Sequence, residues 1–467
     1  MSFAGRRVLV VGLGASGWAA ARALLDLGAR VRVSESSENE TMATRAQSLR
    51  DRGAEVEIGH HDLERLDADI AVVSPGIPPT SDVLRALESA GTPMISEVEL
   101  AYQLADCDFL AVTGTNGKTT TTSLLASMLE RSGIPSVAAG NIGLPLVDAV
   151  ADIGAGGAVA VEVSSFQLAG IDRFRPRVAI VLNIAEDHTD WHGSMEAYAA
   201  AKARIVENQT AEDFVVANRD DDRAWAAVSA ARSTVVPLST TESPTSGIGI
   251  SGGEVLWRGT HLMATTDIKL PGRAGSEDTL AAAAAALAYG IDGDHVLGAI
   301  AAFAPLPHRL ELVAELDGVA YIDDSKATNP HATLAAVSGL TDVVLIAGGR
   351  SKGIDLSTLR ATVPPVIAVV AIGEAATELE RVFEDLVPVD RASSMAAAVA
   401  AARARSIPGG SVLLAPGCAS LDMYENYAER GADFARSVRD LATGARSVGP
   451  EHGARGPRKG PMNRGRD

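Results

Sequence analysis

Short runs of β-branched and other apolar residues recur along the chain, each followed by a glycine-rich turn and then an Ala/Leu-rich stretch. They are Val8–Val11, Ile70–Val73, Phe109–Val112, Val159–Val163, Val178–Leu182, Val343–Ala347, Val366–Ile372 and Val412–Ala415. Strand-length runs alternating with helix-length stretches predict an α/β fold of parallel sheets covered by helices on both faces. The pattern separates into three blocks, about 1–105, 106–303 and 304–443, the last opening near Pro305-Leu306-Pro307-His308. Between about Val235 and Lys269 the chain is rich in Ser, Thr and Gly, with short pieces such as Glu254-Val255-Leu256-Trp257, which predicts an appended β region. The Ala-rich run Leu280–Ala288 is too short and too weakly apolar to cross a membrane and reads as a buried helix. Over 444–467 apolar residues almost vanish among Gly, Pro and Arg, which predicts a disordered, solvated tail.

Composition narrows the possibilities. The 467 residues allow about three domains at roughly 150 residues each. A net charge of −18 argues against nucleic acid or an anionic membrane as partner, because both need a positive surface. A polyanionic substrate would have to be met by local Lys, Arg and backbone N–H groups. Cys107 and Cys418 are far apart and lack metal-ligand spacing, which argues against a disulfide framework or zinc site and suits the cytoplasm. Arg6-Arg7 before Val8–Val11 superficially resembles a secretory signal, but Gly12, Gly14, Gly17 and Arg22 break the apolar stretch. No membrane span is expected. Nothing in the residues fixes the oligomeric state, and a monomer is the default.

The strongest motif is Phe109-Leu110-Ala111-Val112-Thr113-Gly114-Thr115-Asn116-Gly117-Lys118-Thr119-Thr120, a strand entering a glycine-rich turn and then a helix. In such a turn successive N–H groups and the helix dipole face an anion, the lysine bridges β- and γ-phosphates, and the Thr119 hydroxyl ligates Mg²⁺. Val112 stands where the usual spacing has its first glycine, so the loop is a compact variant of an ATP site. Glu162 ends the next strand, and Asn183-Ile184-Ala185-Glu186-Asp187-His188 follows another. Both reach the carboxyl edge of the sheet, where ligands of open α/β sheets collect. In the first block, Gly12-Leu13-Gly14-Ala15-Ser16-Gly17 after one strand and Glu35 after the next fit the dinucleotide fingerprint. Alone it would favour NAD. In a chain that also carries a phosphate loop, the diphosphate of a uridine nucleotide is the more economical ligand.

Six strings together resemble the Mur ligase family, the later ones its D-glutamate-adding branch: Thr113–Thr119, Gly140-Asn141-Ile142-Gly143, Glu162–Leu168, Glu186-Asp187-His188, Asp324–Asn329 and Cys418–Asp422. The resemblance implies three domains: a Rossmann-like N-terminal domain, a P-loop ATPase-like central domain with a small β region, and a Rossmann-like C-terminal domain. It also implies an ATP-dependent amide ligase of peptidoglycan precursor synthesis, joining D-glutamate to UDP-N-acetylmuramoyl-L-alanine through an acyl phosphate. By the same resemblance Thr119 and Glu162 belong to one Mg²⁺ site, and His188 with a carbamylated Lys202 to a second, while Asn141 lies close to the reacting phosphates. The nucleotide would be held by Gly114 to Thr120, Asp278, Arg309, Asp324 and Lys326. D-Glutamate would be held by Thr328, Lys352, Ser420, Leu421 and Tyr424, the last replacing a usual phenylalanine. The UDP-sugar would meet Gly14, Ala15, Ser16, Glu35, Ser36, Ser74, Pro75, Gly76, Asn141, Ser164 and Gln167. Two further stretches depart from the family: Ser37 stands where an arginine is common, and Ala274-Gly275 with Asp278 replace a His-Asn pair and a later Asn. Competing readings are a related amide ligase such as a folylpolyglutamate-type enzyme, a catalytically silent nucleotide-binding homologue, and an NAD oxidoreductase. A water-sensitive acyl phosphate would further require the third block to close over the nucleotide.

Overall fold

The computed structural model describes residues 2–270 and 272–446, with side chains to residue 443. Three sheets follow one another along the chain. The first contains β1 (Arg7–Val11), β2 (Arg30–Glu35), β3 (Glu55–Ile58), β4 (Ile70–Val73) and β5 (Met94–Ser96), all parallel in the order β3-β2-β1-β4-β5. The order reverses beside β1, and that switch point opens a crevice at the carboxyl ends of β1 and β4.

The second sheet contains β6 (Asp108–Thr113), β7 (Ser136–Gly140), β8 (Ala158–Glu162), β9 (Val178–Val181), β10 (Phe214–Asn218), β11 (Thr234–Ser239), β12 (Ile248–Ser251), β13 (Glu254–Trp257) and β14 (Thr260–Ala264). Their order is β14-β13-β12-β11-β10-β9-β6-β8-β7, parallel from β7 to β12 and antiparallel from β12 to β14. The expected appended β region is present as β11 to β14. The Ser/Thr/Gly-rich stretch pairs through β11 onto β10 and so extends the central sheet itself. β6, β8 and β9 are almost wholly apolar because helices cover both of their faces. One of these is Gly272–Tyr289, whose run Leu280 to Ala286 is buried, as its small side chains predicted.

The third sheet contains β15 (Glu311–Leu316), β16 (Val319–Asp323), β17 (Val343–Gly348), β18 (Val366–Ile372), β19 (Val389–Arg391) and β20 (Ser411–Leu414). Its order is β15-β16-β20-β17-β18-β19, parallel apart from the β15–β16 hairpin. The final helix, Tyr427–Arg446, continues three residues into the expected tail; the rest of that expectation lies outside the described residues. No helix among the described residues is long and apolar enough to cross a membrane.

Candidate active site

β6 delivers the chain at Thr113 into the phosphate loop, and the helix Lys118–Arg131 leaves it. Val112 is a fully buried strand residue, so the turn begins later, at Gly114. Gly117 caps the helix at φ +83°, and a Cβ there would lie 2.1 Å from Asp278 Oδ1. No side chain fits. Asn183, just beyond β9, fixes the loop from the side: its Oδ1 accepts from Asn116 N at 2.8 Å and its Nδ2 donates to Asn116 O at 3.2 Å. Lys118 Nζ donates to the carbonyls of Gly114 and Thr115, both at 2.9 Å. Burial lowers its pKa, and Glu162 and Asp187 oppose that shift.

Glu162, at the end of β8, is 2% exposed; Oε1 accepts from Asn141 Nδ2 at 2.8 Å, while Oε2 is buried without a hydrogen-bond partner among the described groups. A buried carboxylate oxygen lacking a donor, in a cleft also lined by the Thr119 hydroxyl and His188, fits a hard divalent cation. Lys202, on the helix Met195–Ala203, is fully buried, donates from Nζ to Gly114 O at 2.7 Å, and lies 4.6 Å from the Tyr198 ring. Burial, then Lys118, holds its amine well below the usual lysine range. The Tyr198 hydroxyl shares a 3.1 Å bond with Thr115 Oγ1, so this helix braces the loop at two points. His188 packs edge-on against Phe166, and burial lowers its pKa.

The third block meets the loop across a cleft of about 580 Å³ lined by Arg309, Asp324, Lys326 and Thr328 on its side. Burial pushes Asp324 up to about 7 and Lys326 down to about 8. Asn116 Nδ2 contacts Asn329 Oδ1 at 3.3 Å and His331 Nδ1 at 2.9 Å, while Asn329 Nδ2 donates to Asp187 Oδ2 at 3.2 Å. Lys352 Nζ lies 3.8 Å from Asp187 Oδ1. Ser420 is buried and its carbonyl accepts from the amides of Met423 and Tyr424. Leu421 is 57% exposed, and the Tyr424 hydroxyl is already donated to Asp433 at 2.8 Å.

In the first block a Cβ on Gly17 would strike Gly12 O at 2.0 Å, the tight crossing that the fingerprint's last glycine permits. Gly14 caps the helix Ala15–Asp26 with no side-chain bond, leaving its first-turn amides facing the crevice. Glu35 is committed to backbone: Oε2 accepts from Leu13 N and Oε1 from Ser37 N, both at 2.7 Å. Ser74, Pro75 and Gly76 form the turn after β4, closed by Ile77 N to Ser74 O. Ser164 and Gln167 bond each other in a capping box of the helix Ser165–Ala169, where Gln167 Oε1 accepts from Ser164 N and Oγ, both at 2.9 Å.

Sequence reasoning placed Asn183 only in the cluster at the sheet's carboxyl edge and gave no role to Tyr198, Asn329 or Arg430. Arg430, on the last helix, is 1% exposed and donates to Ser325 Oγ and to the carbonyls of Ser325 and Cys418 at 2.8–3.1 Å, with Gly348 O at 3.5 Å. It ties the segments preceding Lys326, Lys352 and Ser420 into one piece.

Three family descriptions match the chain: "Mur ligase MurD-like, N-terminal domain" over 6–96, "Mur ligase middle domain" over 112–286, and "Mur ligase, glutamate ligase domain" over 308–418. The chain is 41% identical to UDP-N-acetylmuramoylalanine--D-glutamate ligase of Geobacillus kaustophilus, covering 93% of this chain and 98% of the relative. It is 44% identical to the protein of the same name from Frankia casuarinae, covering 94% and 95%. Among solved structures, a pseudomurein peptide ligase type C from Methanothermus fervidus matches with TM-score 0.60 at 17% identity, covering 94% of this chain and all of that one. UDP-N-acetylmuramate-alanine ligase from Thermotoga maritima matches with TM-score 0.57 at 19% identity, covering 95% and 100%. At these identities the two structures establish similarity of fold.

Proposed function

The chain belongs to the Mur ligase family, and we propose that its central cleft joins D-glutamate to UDP-N-acetylmuramoyl-L-alanine at the expense of ATP, the activity its curated relatives are named for. The observation that carries this reading is the convergence, at one cleft, of a phosphate loop, a buried carboxylate with an unpartnered oxygen, a buried lysine and the cationic face of the third block.

ATP binds along the loop, where Lys118 exchanges two loop carbonyls for phosphate oxygens. An oxygen of the acceptor's carboxylate attacks the γ-phosphorus as the bond to ADP breaks, giving an acyl phosphate. The amine of D-glutamate, having lost its extra proton, then attacks the acyl carbon, and the tetrahedral intermediate collapses to the amide as phosphate leaves and carries off the second nitrogen proton. Both steps bring anions together, and Lys118, Arg309 and Lys326 offset that repulsion from fixed positions. Thr119 and Glu162 would hold one Mg²⁺, and His188 with a carbamylated Lys202 a second; bound there, the ions would neutralise charge on the phosphate oxygens. An unprotonated lysine amine is the form that adds CO₂, and burial of Lys202 favours that form. D-Glutamate lies against Thr328, Lys352 and the Ser420–Leu421 backbone, and the uridine nucleotide in the crevice above β1 and β4. ATP and nucleotide-linked sugars are cytoplasmic, which is where the reaction belongs.

The test is ADP release from purified protein given ATP, Mg²⁺ and UDP-N-acetylmuramoyl-L-alanine. D-Glutamate should support turnover while L-glutamate, L-lysine and no amino acid should not. Equal turnover with another amino acid would move the chain to a different step, and ATP binding without turnover would favour a silent homologue.

A further inference from the structure

A uridine diphosphate is an anion, yet residues 1–105 contain no lysine, so the first block can offer it only arginines. Arg7 and Arg30 open β1 and β2, at the sheet edge opposite the crevice. Arg52 is paired with Asp26, and Arg65 with Glu55. Two arginines approach the glycine turn. Arg22 is paired with Asp148 at 2.6 Å and lies 4.1 Å from the Trp18 ring. Arg45, on the helix Glu40–Asp51, donates from Nη1 to Leu13 O at 2.9 Å and lies 5.6 Å from the same ring. It has no carboxylate partner among the described residues, and it is half-buried. Leu13 sits between Gly12 and Gly14, and its amide is held by Glu35.

We propose that Arg45 is a binding residue for the uridine nucleotide half of the acceptor substrate, supplying the cation that Ser37 does not. This rests on the reading of the first block as a UDP-sugar site. The carbonyl of Leu13 and the indole of Trp18 orient the guanidinium at the turn, leaving its remaining donors for an anionic or carbonyl oxygen of the ligand. Among the arginines near the turn, only Arg45 combines an unneutralised charge with a fixed position beside the open helix end.

The experiment is calorimetric titration of the full chain with UDP, alongside steady-state kinetics. Arg45→Ala and Arg45→Gln should weaken UDP binding about ten- to hundred-fold, the range for a lost hydrogen bond to a charged group. KM for UDP-N-acetylmuramoyl-L-alanine should rise in parallel, with KM for ATP and for D-glutamate unchanged. Arg50→Ala is the control, since Arg50 is exposed on the same helix and donates to Val56 O, away from the turn. ATP titration of each variant reports that the fold is intact. UDP binding that is unchanged in both Arg45 variants while the parent chain binds UDP overturns this assignment and leaves the ligase reading standing. A parent chain that does not bind UDP overturns both.

Discussion

Asp278 offers a direct test of how the cleft is built. Its carboxyl is wedged against Gly117, and burial pushes its pKa from 3.8 up to about 8, with Arg309 and the hydroxyls of Thr121 and Thr120 pulling the other way. In the unfolded chain it ionises near 4. Between those values the folded protein holds a proton that the unfolded chain has released, so its contribution to stability is complete below about pH 4 and is lost as pH rises towards 8. At about 1.4 kcal/mol per pH unit the full shift corresponds to roughly 6 kcal/mol; water penetration and an effective dielectric nearer 20 reduce this to about 2 kcal/mol or more. Asp278→Asn keeps the shape and removes the titration. Urea unfolding at pH 5 and at pH 8.5 should therefore find variant and parent similar at the lower pH and the variant more stable by about 2 kcal/mol at the higher. If the stability difference between them is the same at both pH values, Asp278 ionises without cost and its burial against Gly117 does not raise its pKa.

Other substitutions probe the remaining parts. Lys202→Met should lower turnover by about 10²–10³-fold without lowering the melting temperature, because the buried amine is replaced by an apolar chain of similar length; calorimetry and ADP release check the two halves. Asn183→Ala strands the Asn116 amide and carbonyl and should raise KM for ATP about ten-fold, consistent with roughly 1–3 kcal/mol for unmade buried bonds. Gly17→Ala places a Cβ 2.0 Å from Gly12 O and should destabilise the first block by about 2 kcal/mol or more, seen as a lower denaturation midpoint. Removal of Mg²⁺ by a chelator should abolish ADP release, with recovery on adding the ion back.

Much of this was readable in the chain because β-branched runs bounded by glycine have few alternatives. Ile70–Val73 and Val366–Ile372 are strands with the expected ends, and the others differ by a residue or two. The stretch after Val235 was legible as appended β structure from its short apolar pieces, but where it attaches was not, and only pairing with β10 reveals it as sheet extension. The phosphate loop, Glu162 and Lys202 were found because each sits in a local string. Arg430 lies in no such string, and Asn329, though it closes the string Asp324–Asn329, has a role made by a distant meeting: Asn329 reaches Asn116 across 213 residues, and Arg430 reaches Ser325 across 105. An arginine on the last helix looks like solvated surface until the fold encloses it.

Arg430 has another consequence. All its hydrogen-bond partners are neutral oxygens, and it forms no ion pair among the described residues. Asp422 and Asp323 act on its charge without bonding to it, and a cation kept from water projects what charge remains farther than one at the surface. The segments it joins are those proposed to receive an amino acid with two carboxylates. On the proposed assignment of that site, the charge that Asp422 and Asp323 leave uncancelled favours an incoming dicarboxylic amino acid over a neutral one.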